Sequence, residues 1–289
     1  MAQKILVTGA TGTIGRPLVR QLQHLGASFV AGVRQPEKAA ETLGLSADRI
    51  VSFDFSDPAT FAGAVEGVDR IFLLGPPLRL DLTELVAPFI DFLRDRGIRR
   101  VVYLSALREE KMGDQLNFHS RILKKLENDG FETTVLRPTF FAQNFRNFEW
   151  ENITLRGITY VPAGTGRVAF VDAEDIAAVA AAALTQEGHI GKTYELTGPE
   201  SLTHFEAADR LTEVTGRTVV YPNPSPEEYT ETLRASGAPD FIAPYMITAY
   251  SLVRNHLVDL VTSDVEKVTG RKPTSLKTVL EREFQSVLS

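Results

Sequence analysis

Apolar residues recur along the chain in short continuous runs separated by amphipathic stretches of helical length. Ile5, Leu6 and Val7 form the first run, as a strand covered on both faces requires. Leu18, Val19, Leu22 and Leu25 follow at helical spacing and stop at Gly26. The same reading predicts further strands over residues 28–34, 50–55, 70–74, 100–106, 133–138 and 192–198. A helix with an apolar stripe at Leu82, Leu85, Val86, Phe89 and Leu93 opens on an Asp81–Glu84 cap and should kink at Pro88. Another covers residues 115–126, and an alanine-rich one runs over 177–184. Strands alternating with helices predict an α/β fold, a doubly wound parallel sheet with helices on both faces.

Beyond Gly198 the pattern becomes mainly helical. Thr203 and Glu206 form a capping box for a helix stopped by Gly216, and a proline-rich passage covers 222–226. Helices are expected around 227–235 and 241–261, and Ser263 to Glu266 caps another that ends at Gly270. The organisation expected is a dinucleotide-binding domain over 1–198 and a smaller substrate or lid subdomain over 199–289, with the active cleft between them and segment 151–170 assigned to either side.

The binding reading starts at the end of the first strand, where Gly9, Gly12 and Gly15 stand at spacing G-x-x-G-x-x-G. Gly9 permits the tight turn, Gly12 lets backbone approach a pyrophosphate, and Gly15 lets the helix pack closely on the strand. Thr11, Thr13 and Ile14 complete the turn, and the amides of Thr13 and Ile14 point the positive helix end at phosphate. Arg34, closing the second strand, stands where an acidic residue would bind the ribose of NAD; an arginine there pairs with the additional phosphate of NADP. NADP is therefore preferred, with NAD possible, and Lys38 lies one helical turn further on. Asp54 and Phe55 at the third strand end are placed for the adenine. Leu74, Gly75 and Pro76 at the fourth and Ser105 at the fifth bring the chain to the carboxyl edge, where ligands of such sheets bind.

Composition narrows the alternatives. The 289 residues are 43% apolar and 24% charged, which excludes disorder or a fibre, and a net charge of −6 gives no footprint for nucleic acid. With no cysteine and no metal-ligand spacing, thiolate and metal chemistry are not expected. No apolar run reaches membrane-spanning length and no signal peptide precedes the first strand, so a soluble cytoplasmic protein with a small-molecule substrate is expected. The pattern does not specify an oligomeric state.

The motif Gly9-Ala10-Thr11-Gly12, Arg34, the helix carrying His119, the run Leu136-Arg137-Pro138 with Phe141 and Asn144, and Val171-Asp172-Ala173-Glu174-Asp175-Ile176-Ala177 together resemble the NmrA-like branch of the atypical short-chain dehydrogenase/reductases. The resemblance spans nearly the whole chain. It implies a Rossmann sheet and an NAD(P)H-dependent reductase of the quinone oxidoreductase type, or a redox-sensing regulator that binds the cofactor without turning it over and signals to a protein partner. In the familiar short-chain dehydrogenases a serine at the position of Ser105 works with a Tyr-x-x-x-Lys pair, and here His119 stands in place of the tyrosine and Leu123 in place of the lysine. Some relatives use a lysine on the helix that carries His119, a position that Arg121 and Lys124 only flank.

His119 is then the candidate proton donor, because an unperturbed imidazole titrates near neutral pH. Pro138, Phe140, Phe141, Phe145, Phe148 and Trp150 follow the sixth strand, and with Phe118, Tyr229, Phe241 and Tyr245 they would suit a flat apolar substrate. The resulting expectation is hydride transfer from NADPH to a quinone or a conjugated carbonyl or imine. The alternative is the NADP-sensing regulator.

Overall fold

A computed structural model describes residues 3–285. The described residues divide into two compact units, each built from several segments: the first from 3–106, 117–137 and 173–194, the second from 107–116, 138–172 and 195–285. The segment 138–172 thus goes with the carboxyl-terminal residues, and with it segment 151–170, whose side of the boundary the sequence had left open. Sequence order hides this, because the chain leaves the sheet after its sixth strand and returns for a helix and the last strand.

The first unit runs β1 (Lys4–Val7), α1 (Gly15–His24), β2 (Ser28–Val33), α2 (Pro36–Leu43), β3 (Ile50–Ser52), α3 (Phe61–Ala64), β4 (Arg70–Leu73), α4 (Leu82–Asp95), β5 (Arg100–Leu104), α5 (Phe118–Asn128) and β6 (Glu132–Pro138). After the excursion through α6 (Asn144–Asn147) and β7 (Arg167–Val168), α7 (Ala173–Thr185) and β8 (Thr193–Leu196) complete it. Sheet order is β3-β2-β1-β4-β5-β6-β8, with β1–β2, β1–β4, β2–β3, β4–β5 and β5–β6 all parallel. The reversal of strand order at β1 and β4 makes the doubly wound Rossmann arrangement.

The continuous apolar runs have the expected cause. Ile5, Leu6, Val7, Ile71, Phe72 and Leu73 are all buried, since α1 and α7 cover one face of the sheet and α4 and α5 the other. Short side chains from Ala177 to Ala183 are buried along α7, which packs on α1, and Arg20 of α1 is paired with Glu174.

The second unit has its own apolar core, in which Phe145, Val168, Phe170, Leu211, Leu252, Val253, Leu280 and Phe284 are buried. Its elements after β8 are β9 (Leu202–Thr203), antiparallel to β7, then α8 (His204–Thr215), α9 (Pro226–Ala235), α10 (Ile242–Arg254), α11 (Asp264–Thr269) and α12 (Leu276–Glu283). The Thr203–Glu206 capping box is present in full.

Four local expectations are corrected. Asp81 precedes α4 without capping it, because its carboxylate is taken by Arg79 at 2.6 and 2.7 Å. Ser263 makes no cap bond to α11, and the adjacent Asp264 carboxylate instead accepts from the Glu195 N–H at 2.9 Å. The third strand stops at Ser52, since the Asp54 side chain turns the chain by accepting from Ser56. The helix expected over 241–261 ends at Arg254, where His256 enters the left-handed region at φ 55°.

Candidate active site

The glycine turn between β1 and α1 is the most constrained stretch of the first unit. Gly9 has φ +63°, and its carbonyl accepts from the Gly12 N–H at 2.9 Å. A Cβ on Gly15 would lie 2.1 Å from the Gly9 oxygen and 2.6 Å from Ala10 Cα, so only glycine fits between turn and helix. Gly12 is different: its Cβ would meet only the Gly9 oxygen, at 3.2 Å, and its outward side is open. The first turn of α1 contains no acidic residue, so no carboxylate of its own offsets the positive helix end.

Two residues brace this cradle that the motif reading did not name. Thr8 is buried, its hydroxyl 3.0 Å from the Phe72 and Leu74 carbonyls and accepting from the Leu74 N–H at 2.8 Å, which fixes the end of β1 against the end of β4. Arg16 reaches back from the first turn of α1, its Nε donating to the Thr11 carbonyl at 2.7 Å.

Arg34 follows β2 and is exposed, with no hydrogen-bond partner among the described residues. Lys38 is exposed on the first turns of α2, and an open depression of about 380 Å³ lies against Gln35, Pro36, Glu37 and Lys38. Asp54 is held below the usual carboxylate range by its Ser56 hydrogen bonds first and by the Arg34 charge last, so it stays ionised beside that cation. Phe55 is half-buried, edge-on to Phe53 at 4.8 Å and Phe89 at 5.8 Å. Leu74, Gly75 and Pro76 are likewise half-buried, and a Cβ on Gly75 would lie 2.5 Å from Leu82 Cδ1. A second depression, about 20 Å³ beside Arg70 and Arg100 at the amino-terminal sheet edge, has room for about one water.

Near the end of β5 Tyr103 meets His119 of α5, and Ser105 follows two residues further along the chain. Tyr103 is buried, and its hydroxyl lies 2.6 Å from His119 Nδ1 across an edge-on ring pair. Ser105 continues the ladder through its N–H to the Leu136 carbonyl at 2.8 Å, while its hydroxyl is buried without a partner. The expectation that His119 titrates near neutrality is corrected. Desolvation first, then the charge of Arg137, pushes its pKa down to about 4, so it is a neutral imidazole at pH 7. Phe118, one of the expected pocket aromatics, is buried in the first unit against His119.

The second unit holds the other aromatics, and it separates them. Phe145 is core, packed on Phe170 at 5.1 Å, which corrects its assignment to a substrate pocket. Trp150 stacks on Phe284 at 5.2 Å, with Arg146 over its ring at 4.4 Å. Phe140 lies 4.9 Å from Tyr250, and Tyr229 is 6.1 Å from Tyr160 in a stacked pair. Phe141, Phe241 and Tyr245 are half-buried, Pro138 is buried and Phe148 is exposed. Beside Tyr229 and Tyr250 sits Glu149, which sequence reasoning missed. Burial pushes this carboxyl up to about 7, and it accepts from the Tyr160 N–H at 2.5 Å.

The sequence profile of the NmrA-like family matches residues 1–285. The chain belongs to the NmrA-like family. It is 34% identical over 272 residues to an NAD(P)H azoreductase of Xenophilus azovorans, covering 92% of this chain and 93% of that protein. Among solved structures it is similar to an NADPH-dependent quinone oxidoreductase from Escherichia coli complexed with NADPH, at TM-score 0.87 and 26% identity over 97% of this chain and 99% of the other. It also resembles the Citrobacter sp. triphenylmethane reductase complexed with NADP(H), at TM-score 0.82 and 27% identity over 97% and 99%.

This NmrA-like chain has no Tyr-x-x-x-Lys pair, and its neighbours on α5 do not restore one. Arg121 is paired with Glu84 and Lys125 with Asp91 and Asp129, while Leu123 is half-buried and Lys124 exposed. The Asp172 of the family-like motif is buried in the second unit, taken by Arg282 at 2.8 and 3.1 Å and by Gln143 at 2.7 Å. Among the described residues there is no cluster able to hold a metal ion, and no helix is long and apolar enough to cross a membrane.

Proposed function

We propose that this protein is an NADPH-dependent reductase that delivers hydride to a small flat acceptor such as a quinone or a conjugated carbonyl or imine. The observation that carries it is the pairing of a turn where Gly15 leaves no room for a Cβ with an exposed Arg34, without a hydrogen-bond partner among the described residues, at the next strand end. A dinucleotide fits those features: pyrophosphate at the open side of Gly12 and the α1 terminus, and a ribose phosphate at Arg34, with Lys38 adding charge. When bound, the reduced nicotinamide supplies the hydride. The protein supplies orientation and electrostatics, with Ser105 at the end of β5 and His119 on α5 as the polar groups. The names of the relatives, which reduce azo compounds, quinones and triphenylmethane dyes, support an acceptor of this shape.

The absent Tyr-x-x-x-Lys pair favours a second reading, an NADP-sensing regulator that binds a protein partner. The test is NADPH titration followed by NADPH oxidation across quinones, enones, imines and azo dyes. Tight binding with oxidation of at least one acceptor supports the reductase. Tight binding with no oxidation above buffer supports the regulator.

A further inference from the structure

His119 is the half-buried member of the β5 group, where Tyr103 and Ser105 are buried. Its Nδ1 faces the Tyr103 hydroxyl at 2.6 Å, whereas its Nε2 has no hydrogen-bond partner among the described residues. A neutral imidazole carries one proton, and the group at one ring nitrogen decides which nitrogen keeps it. Tyr103 is on the strand and fully buried, so its hydroxyl is held where α5 presents the ring, and Phe118 packs on that ring at 4.7 Å. Ser105, two residues along from Tyr103, shares its strand face by the alternation of a strand, so its orphaned hydroxyl is on the side of the sheet where Tyr103 meets His119 of α5.

We infer that Tyr103 donates to His119 Nδ1 and thereby fixes the Nε2–H tautomer, making His119 a neutral N–H donor toward an acceptor heteroatom rather than an acid that gives up its proton. Tyr103 is a positioning residue in this account and touches no substrate. The catalytic consequence rests on the reductase reading above. As hydride adds to the acceptor, the electron pair of its double bond moves to a quinone or carbonyl oxygen or an imine nitrogen. The Nε2–H then hydrogen-bonds to that developing anion, which takes its proton from water, so atoms and charge balance without ionising His119. Arg137, the charged group that faces His119, disfavours an imidazolium and agrees with a donor that stays neutral throughout turnover. This selects acceptors that develop charge on oxygen or nitrogen within reach of one N–H.

The test is the ¹⁵N spectrum of the histidine rings in the whole protein, with His119 assigned by its loss in His119→Phe. The wild-type spectrum should show a protonated Nε2 and an unprotonated, hydrogen-bonded Nδ1 that do not change between about pH 5.5 and 8. Tyr103→Phe should move the Nδ1 shift toward a free acceptor or a tautomer mixture. It should also lower kcat with a quinone roughly 2- to 10-fold, the worth of one neutral hydrogen bond, at unchanged NADPH affinity. Protonated Nδ1 in the wild type would overturn the assignment without any variant being needed, as would unchanged shifts in Tyr103→Phe. A displaced tautomer with unchanged kcat would overturn the positioning role. If the Nε2–H tautomer is found but no acceptor is reduced, the Tyr103 assignment stands and the reductase reading fails.

Discussion

Adding one methyl group to the cradle at two positions three residues apart separates its structural from its binding role. In Gly15→Ala the new carbon would lie 2.1 Å from the Gly9 oxygen and within 2.7 Å of Ala10 backbone atoms, none of which is the end of a flexible side chain. Overpacking against backbone costs on the order of 3 kcal/mol, so Tm should fall by roughly 5 °C or more. In Gly12→Ala the contact is a single 3.2 Å approach to the Gly9 oxygen, which a shift of a few tenths of an ångström relieves. Loss of unfolded-chain freedom offsets that, by about 0.4–1 kcal/mol, leaving Tm unchanged or slightly raised. Its methyl group nevertheless occupies the approach of the phosphates, so NADPH affinity should fall roughly 5- to 150-fold, the range of a 1–3 kcal/mol steric penalty. Thermal melts and fluorescence titration with NADPH on both variants suffice. Wild-type affinity in Gly12→Ala would show that the phosphates bind elsewhere. A wild-type Tm in Gly15→Ala would refute the packing argument.

Other consequences can be measured independently. Arg34→Ala should weaken NADPH binding by roughly 10- to 150-fold and NADH binding far less, as expected for one charge-assisted contact to a phosphate; equal losses would refute the preference for NADP. Glu149 has its folded pKa raised to about 7 from 4.5, so it stabilises the fold at low pH and loses that contribution as pH rises through this window, up to about 3 kcal/mol. In urea unfolding, Glu149→Gln should therefore gain stability relative to wild type between about pH 5 and 7, and a constant difference would contradict the burial argument. His204 runs the other way: burial lowers its pKa from 6.5 to about 3, so its contribution is present above about 6.5 and is lost as pH falls. His204→Phe should gain on wild type as the buffer is acidified, and a pH-independent difference would contradict this.

The strand-to-helix alternation and the glycine turn were legible because they obey local rules. A continuous apolar run makes a buried strand whatever surrounds it, and Gly9 and Gly15 are dictated by backbone within six residues. What the sequence hid depends on long-range partners. Asp81 and Ser263 carry the right letters for helix caps, yet Arg79 and the Glu195 amide outcompete the helix ends for Asp81 and for Asp264 beside Ser263. Glu149 reads as a surface residue in Phe148-Glu149-Trp150, and only closure of the chain at Tyr160 buries it. His119 was found by its position on the helix, but its neutral state is set by burial first and then by Arg137, and its contact by Tyr103, the last two on different strands. No spacing rule reports such pairs. Phe145 illustrates the opposite error: an aromatic next to a strand end looks like a pocket wall, and here it is core.

The central claim is that the cradle and the β5 group serve hydride transfer, and single-turnover absorbance of bound NADPH at 340 nm tests it most directly. Protein saturated with NADPH is mixed with a quinone, and the wild type, His119→Phe and Gly12→Ala are compared. The account predicts a single exponential loss of NADPH in the wild type and loss of cofactor saturation in Gly12→Ala. It predicts slowing in His119→Phe at unchanged cofactor affinity, by about 10²-fold where the acceptor needs the N–H and by little where water alone suffices. Stable NADPH absorbance in the saturated wild type, across quinones, enones, imines and azo acceptors alike, would contradict it.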